Sequence, residues 1–190
     1  MKPRQKNFFK VCRTCRIVCC QHARPPITPH RRQILQAAFD TPEALREDLF
    51  ETTTYTFPRE TRDGFCVFFD PETRKCRVYA VKPETCVAGP ITFDINLQTG
   101  TLELYLKLES ICPLAGQLRR TPQMLADHVI TAKRELLQLV HDLDTEALAA
   151  ILQIDEPDTW KIGDVALSPD ILNKLRTAQT HRQDPVDPDW

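Results

Sequence analysis

The clearest periodicity in the chain lies in its second half. Leu125, Val129, Ala132, Leu136, Leu139 and Leu143 recur at steps of four and three. This stripe predicts an amphipathic helix opened by Thr121-Pro122 and running to about residue 143, with its apolar face on a core. Two shorter helices are expected over 145–152 and, from Ser168-Pro169, over 168–178, with Trp160 as a packing residue between them. Upstream the period becomes two. Leu102, Leu104, Leu106 and Leu108 alternate with polar residues and predict a hairpin of 91–96 and 101–108, turning at Gln98-Thr99-Gly100. β-branched and aromatic runs at 52–57, 65–69 and 77–81 predict further strands, with Asp70-Pro71-Glu72-Thr73 as a turn. Nearer the N-terminus, Thr28 is an N-cap and Pro29 the first helical position of a helix over 29–39, with Ile34, Leu35, Ala38 and Phe39 on its inner face. Thr41-Pro42-Glu43 repeats the start signal for a helix to about residue 50. The pattern is α+β: small antiparallel hairpins and an N-terminal cysteine loop, covered by helices.

Composition changes that picture at one place. Eight cysteines occur in 190 residues, and four of them, Cys12, Cys15, Cys19 and Cys20, fall within nine positions. An apolar fraction of 42% can build a core without covalent staples. No N-terminal apolar run has the form of a signal peptide, because Lys10 follows Phe8-Phe9 at once, and no stretch approaches a membrane span. A cytoplasmic setting is the default, and there cysteines read as metal ligands rather than disulfides.

Thiolates are soft ligands that suit zinc or an iron–sulfur cluster. Cys12 and Cys15 form a CxxC pair able to reach one metal from a tight turn. Cys19 and Cys20 are adjacent, so in extended backbone they would serve different ligand positions, unless a turn brings them together. His22 could add a nitrogen ligand. A hairpin centred on Pro71 would set Cys66 opposite Cys76. Cys86 follows after Lys82-Pro83-Glu84-Thr85, a bend or single helical turn, and Cys112-Pro113 closes the region. Cys112 has the weakest claim to be a ligand. The eight thiols satisfy two four-ligand sites or one cluster with sulfurs to spare.

Charge is lopsided. Residues 1–39 hold nine Lys or Arg and no Asp or Glu, although the whole chain carries −1. A basic arm can bind nucleic acid or another polyanion. Alternatively, Arg13, Arg16 and their neighbours offset clustered thiolates, a reading that needs no partner.

Taken together, these segments resemble the YkgJ-like cysteine-cluster family, whose domain is described as zinc- or iron-chelating. The resemblance is carried by Cys12, Cys15, Cys19 and Cys20; by Gly64-Phe65-Cys66-Val67-Phe68; by Cys76-Arg77-Val78-Tyr79; and by Lys82-Pro83-Glu84-Thr85-Cys86, with Cys112-Pro113 similar to a later Cys-Pro. It covers roughly residues 10–115. The chain departs from the family pattern in having three residues between Cys15 and Cys19, Lys82 in place of an arginine, and Val87 after the last cysteine of that set. The resemblance implies metal binding, with an iron–sulfur cluster of the 4Fe-4S type preferred to zinc. Flagellin lysine methylases with a similar domain extend the implication, remotely, to a cluster beside methyl-transfer chemistry.

No GxGxxG, Walker A, Gly-x-Ser-x-Gly or HExxH pattern occurs, and the CxxxCxxC spacing of radical enzymes is absent. The expected organisation is a cysteine-cluster domain at 1–118, a helical extension packed on it at 119–180, and a loose tail at 181–190. The expected function is that of a cysteine-ligated iron–sulfur protein, in electron transfer or as accessory to another enzyme with a protein or redox partner. The alternative is a structural zinc module that presents a surface to a partner.

Overall fold

A computed structural model describes residues 9–16, 18–39, 49–154, 156 and 158–180. It is α+β, with helices around three small antiparallel sheets. In chain order the elements are α1 (Phe9–Thr14), α2 (Pro29–Ala38), β1 (Phe50–Thr52), β2 (Thr56–Pro58), β3 (Phe69–Asp70), β4 (Lys75–Cys76), a 3-10 turn (Tyr79–Val81), α3 (Glu84–Ala88), β5 (Ile91–Asn96), β6 (Thr101–Lys107), α4 (Pro113–Arg119), α5 (Pro122–Asp142), α6 (Thr145–Ile151), β7 (Thr159–Ala166) and α7 (Pro169–Thr180). Among the described residues no helix is long and apolar enough to cross a membrane.

Local chemistry accounts for the best-defined boundaries. The Thr28 hydroxyl accepts the amide of Arg31 at 3.1 Å and Pro29 takes the first helical position, so α2 begins as its sequence requires. Asp144 caps α6 by accepting the amide of Ala147 at 2.8 Å. In the β5–β6 turn the Asn96 side chain accepts the amides of Gln98 and Thr99, and Gly100 takes φ +68°. The ammonium of Lys174 on α7 donates to the carbonyls of His141 and Leu143, satisfying the end of α5.

Two apolar cores result. The larger lies between the β5–β6–β7 sheet and the helices. Leu102, Leu104 and Leu106 point into it from β6, Ala132, Leu136 and Leu139 from α5, Leu148 from α6, and Ile171 and Leu175 from α7. The smaller gathers Ile27, Leu35, Leu49, Phe50, Phe68, Phe69 and Val78 around Cys66. Removing a fully buried leucine from such a core costs about 2–5 kcal/mol.

The structure follows the predicted hairpin and long helix and departs elsewhere. Run 52–57 is not one strand: it folds back at Thr53–Tyr55, pairing Thr52 with Thr56. Only Phe69 of the 65–69 run lies in a strand, and 77–81 enters the 3-10 turn. The hairpin register also differs, because Phe69, not Cys66, stands opposite Cys76. The Asp70 carboxylate accepts the amides of Glu72 and Thr73, and Arg74 takes φ +55°. These four turn residues, 71–74, move the centre past Pro71. Helix α4 and strand β7 were not foreseen. β7 alternates weakly in apolar character, and its order comes from pairing with β6. Trp160 lies on it 40% exposed, with the Arg119 guanidinium 4.2 Å from its ring. Ala38 is exposed. The expected helix at 41–50 falls largely outside the described residues, as does the expected tail, and Phe50 begins β1.

Candidate metal centre

The cysteine segment is joined to the later thiols through the main chain. The amide of Cys66 donates to the Cys20 carbonyl at 2.8 Å, and the amide of His22 donates to the Gly64 carbonyl at 2.7 Å. Gln21 and Phe65 form the antiparallel bridge between those two bonds. Gly64 has φ +77°, and a Cβ placed there would meet the His22 ring at 2.2 Å. His22 itself has φ +53°. Its contribution is thus to the junction, through its backbone and the ring lying over Gly64.

Sulfurs of the first cysteine segment and of the later one bear on one another electrostatically. Cys12 lies within electrostatic reach of Cys15, Cys19 and Cys112. Cys20 is within reach of Cys66 and Cys86, and Cys86 of Cys66, Cys76 and Cys19. Cys112 faces Cys15 and Cys19, a closer association than its place in the sequence suggests. All eight are free, with no disulfide among them. The adjacent pair sits in a turn closed by the Gln21 amide on the Val18 carbonyl at 2.9 Å. That turn brings Cys19 and Cys20 together rather than apart, and the Cys20 thiol donates a hydrogen bond to the Cys19 sulfur.

The surroundings favour metal ligation over bare thiolate. Burial pushes the thiol of Cys66 up to about 11 and that of Cys86 up to about 12, and it raises Cys12, Cys76 and Cys112 as well. Cys19 is held below the ordinary thiol range by its bond from Cys20, and Cys20 is correspondingly raised. Desolvated sulfurs beside one another resist ionisation, and a bound cation supplies the opposing charge that removes the resistance. Backbone amides are already aimed at three of them: Phe68 at Cys66, Val78 at Cys76, and Leu114 and Ala115 at Cys112. Such N–H···S bonds favour the thiolate a metal requires. As the side chains stand, among the described residues no three Cys, His, Asp or Glu donors close around a single point.

Sequence reasoning missed the cation that matters. Lys82, rather than Arg13 or Arg16, is the leading positive charge on Cys12, Cys19, Cys76 and Cys86, and Lys107 also bears on Cys19. Lys82 stands where the resemblance had shown an exchange for arginine, which was the available signal. Its position is set by Arg31 of α2, which donates to the Lys82 and Val81 carbonyls at 3.0 and 3.4 Å. Arg31 also donates to Glu135 of α5 at 2.5 Å and lies 3.5 Å from Glu84 of α3. The Thr28 hydroxyl donates to Glu84 at 2.6 Å. These bonds tie three helices together beside the thiols.

Residues 11–113 match the family model described as "CxxCxxCC: Putative zinc- or iron-chelating domain". No curated protein and no solved structure matches the chain. The matched span covers more than half of the sequence and contains all eight cysteines, so the chain belongs to this family and is a metal-binding protein of the zinc- or iron-chelating kind.

Proposed function

We propose that the eight cysteines hold iron–sulfur chemistry, of the 4Fe-4S type, in a cytoplasmic protein that passes electrons or serves as accessory to another enzyme. The observation that carries this reading is the Cys20–Cys66 junction, a main-chain bond that ties the first cysteine segment to the second. An all-sulfur donor set is the one that iron–sulfur clusters use. When bound, such a cluster supplies reversible one-electron transfer. The chain's own residues would set its behaviour. The amides of Phe68, Val78, Leu114 and Ala115 withdraw charge from the sulfurs, and Lys82 adds a positive field; both raise the ease of reduction. Cys12 and Cys19 are exposed, which leaves one side open to a redox partner.

Anaerobic purification followed by iron, zinc and sulfide analysis tests the proposal. Brown protein whose visible absorbance bleaches with dithionite is expected. Colourless protein holding stoichiometric zinc overturns the iron–sulfur reading in favour of a structural zinc module.

A further inference from the structure

Helix α3, Glu84–Ala88, carries Cys86 at its centre and is only five residues long. A helix that short does not hold itself together in water. It also lacks a side-chain cap at Pro83. Its place is therefore set by what grips its two ends, and both grips run to α5. At the C-terminal end, His128 is buried, with Nε2 2.9 Å from the Ala88 carbonyl and 3.1 Å from the Gly89 carbonyl. Carbonyls only accept, so Nε2 carries the proton and donates to both. These are carbonyls that the end of a helix leaves without partners in the helix itself. At the N-terminal end, Glu135 accepts from Arg31 at 2.5 Å. Arg31 in turn donates to the Lys82 carbonyl at 3.0 Å and lies 3.5 Å from Glu84.

His128, Ala132 and Glu135 follow at steps of four and three and share one face of α5. Two helical turns, about 10.5 Å, separate the two polar grips, a span that brackets the rise of about 7.5 Å along α3. Between them Ala132 is small and fully buried, which lets α3 lie close. Helix α5 is itself anchored in the larger core by Leu136, Leu139 and Val140. It lies wholly outside residues 11–113, the span of the matched domain. We infer that α5 is the positioning element for Cys86: His128, together with Glu135 acting through Arg31, fixes α3 to the frame of the larger core and holds the Cys86 thiol in place before any metal binds. The functional meaning of this brace rests on the reading of Cys86 as a ligand, since a ligand already in place need not be ordered at binding. Both residues act through α3. Cys20, Cys66 and Cys76 belong instead to the smaller core.

Alkylation of the metal-free, reduced full-length protein with iodoacetamide, followed cysteine by cysteine by peptide mass spectrometry, tests the brace. His128→Leu leaves the carbonyls of Ala88 and Gly89 without their donor. It should speed alkylation at Cys86 about tenfold and leave Cys66 and Cys76 unchanged. His128→Gln, whose amide can donate from the position of Nε2, should return Cys86 toward the wild-type rate. Glu135→Leu should speed Cys86 as His128→Leu does. Circular dichroism checks folding, and where His128→Leu unfolds, Glu135→Leu and His128→Gln decide. An unchanged rate at Cys86, equal acceleration at every cysteine, or a glutamine variant no slower than the leucine one overturns the inference. Zinc added to the wild-type protein should slow alkylation at Cys86. No slowing overturns the reading of that thiol as a ligand, whereas the variants, studied without metal, decide the brace.

Discussion

The amide of Cys66 donates to the carbonyl of Cys20 at 2.8 Å, across the longest gap between cysteines in the sequence. With the His22–Gly64 bond beside it, this pairing works as a two-rung ladder that docks the first cysteine segment on the second. Its geometry depends on Gly64, whose φ of +77° lies where an L side chain is strained.

Gly64→Ala should therefore lower stability by about 1–2 kcal/mol, the cost of a left-handed backbone with a Cβ. The His22 ring can swing aside from the new methyl, but the backbone strain stays. Gly163 on β7 is the control, since nothing lies within 4 Å of a Cβ there. Urea unfolding should show a lower midpoint for Gly64→Ala and little change for Gly163→Ala. Equal effects would remove the special status of the junction.

Arg31→Met should cost about 3–5 kcal/mol, the range for breaking a buried ion pair from one side. The substitution removes a guanidinium from Glu135, which keeps Arg134, and from Glu84, 1% exposed, which keeps the Thr28 hydroxyl. Burial raises the Glu84 carboxyl, and one of its oxygens has no hydrogen-bond partner. Adding Glu84→Gln to Arg31→Met should thus recover part of the loss. Additive effects in that double-mutant cycle would show that the two residues are not coupled.

Metal removal should loosen the smaller core first. The Cys20–Cys66 and His22–Gly64 bonds join the two cysteine segments, whereas β5, β6 and α5 close around Leu102, Leu104, Leu136 and Leu139, with Cys112 packed only at the margin of that core. Hydrogen exchange on the chelated protein should show faster exchange at the amides of His22 and Cys66 while those of Leu104 and Leu136 stay protected. Uniform loss of protection would mean that both cores depend on metal.

Glu103 gives a pH signature away from the cysteines. Hydrogen bonds from Lys161, Tyr105 and Asn96 hold its carboxyl down to about 2, against 4.5 when unperturbed. The folded value is the depressed one, so its contribution is complete above about 4.5 and fades as pH falls toward 2. Between pH 5 and pH 2 the wild-type chain should lose urea resistance faster than Glu103→Gln. Parallel curves would mean that the site, which lies at the surface, is screened by solvent.

Some of this protein could be read before it folded. The stripe from Leu125 to Leu143 and the alternation of Leu102, Leu104 and Leu106 are local patterns, and local patterns dictate local backbone. The α2 cap and the eight candidate sulfurs were equally visible, because residue type alone carries them. The Cys76 register was not, since it turns on how Asp70 caps its own loop. Neither was β7, whose order comes from a neighbour more than fifty residues earlier. The role of Lys82 depends on distance in space, which spacing along a chain does not encode. Residue identity decided which atoms can bind a metal; main-chain pairing across 46 residues, from Cys20 to Cys66, decided how the first cysteine segment docks on the second.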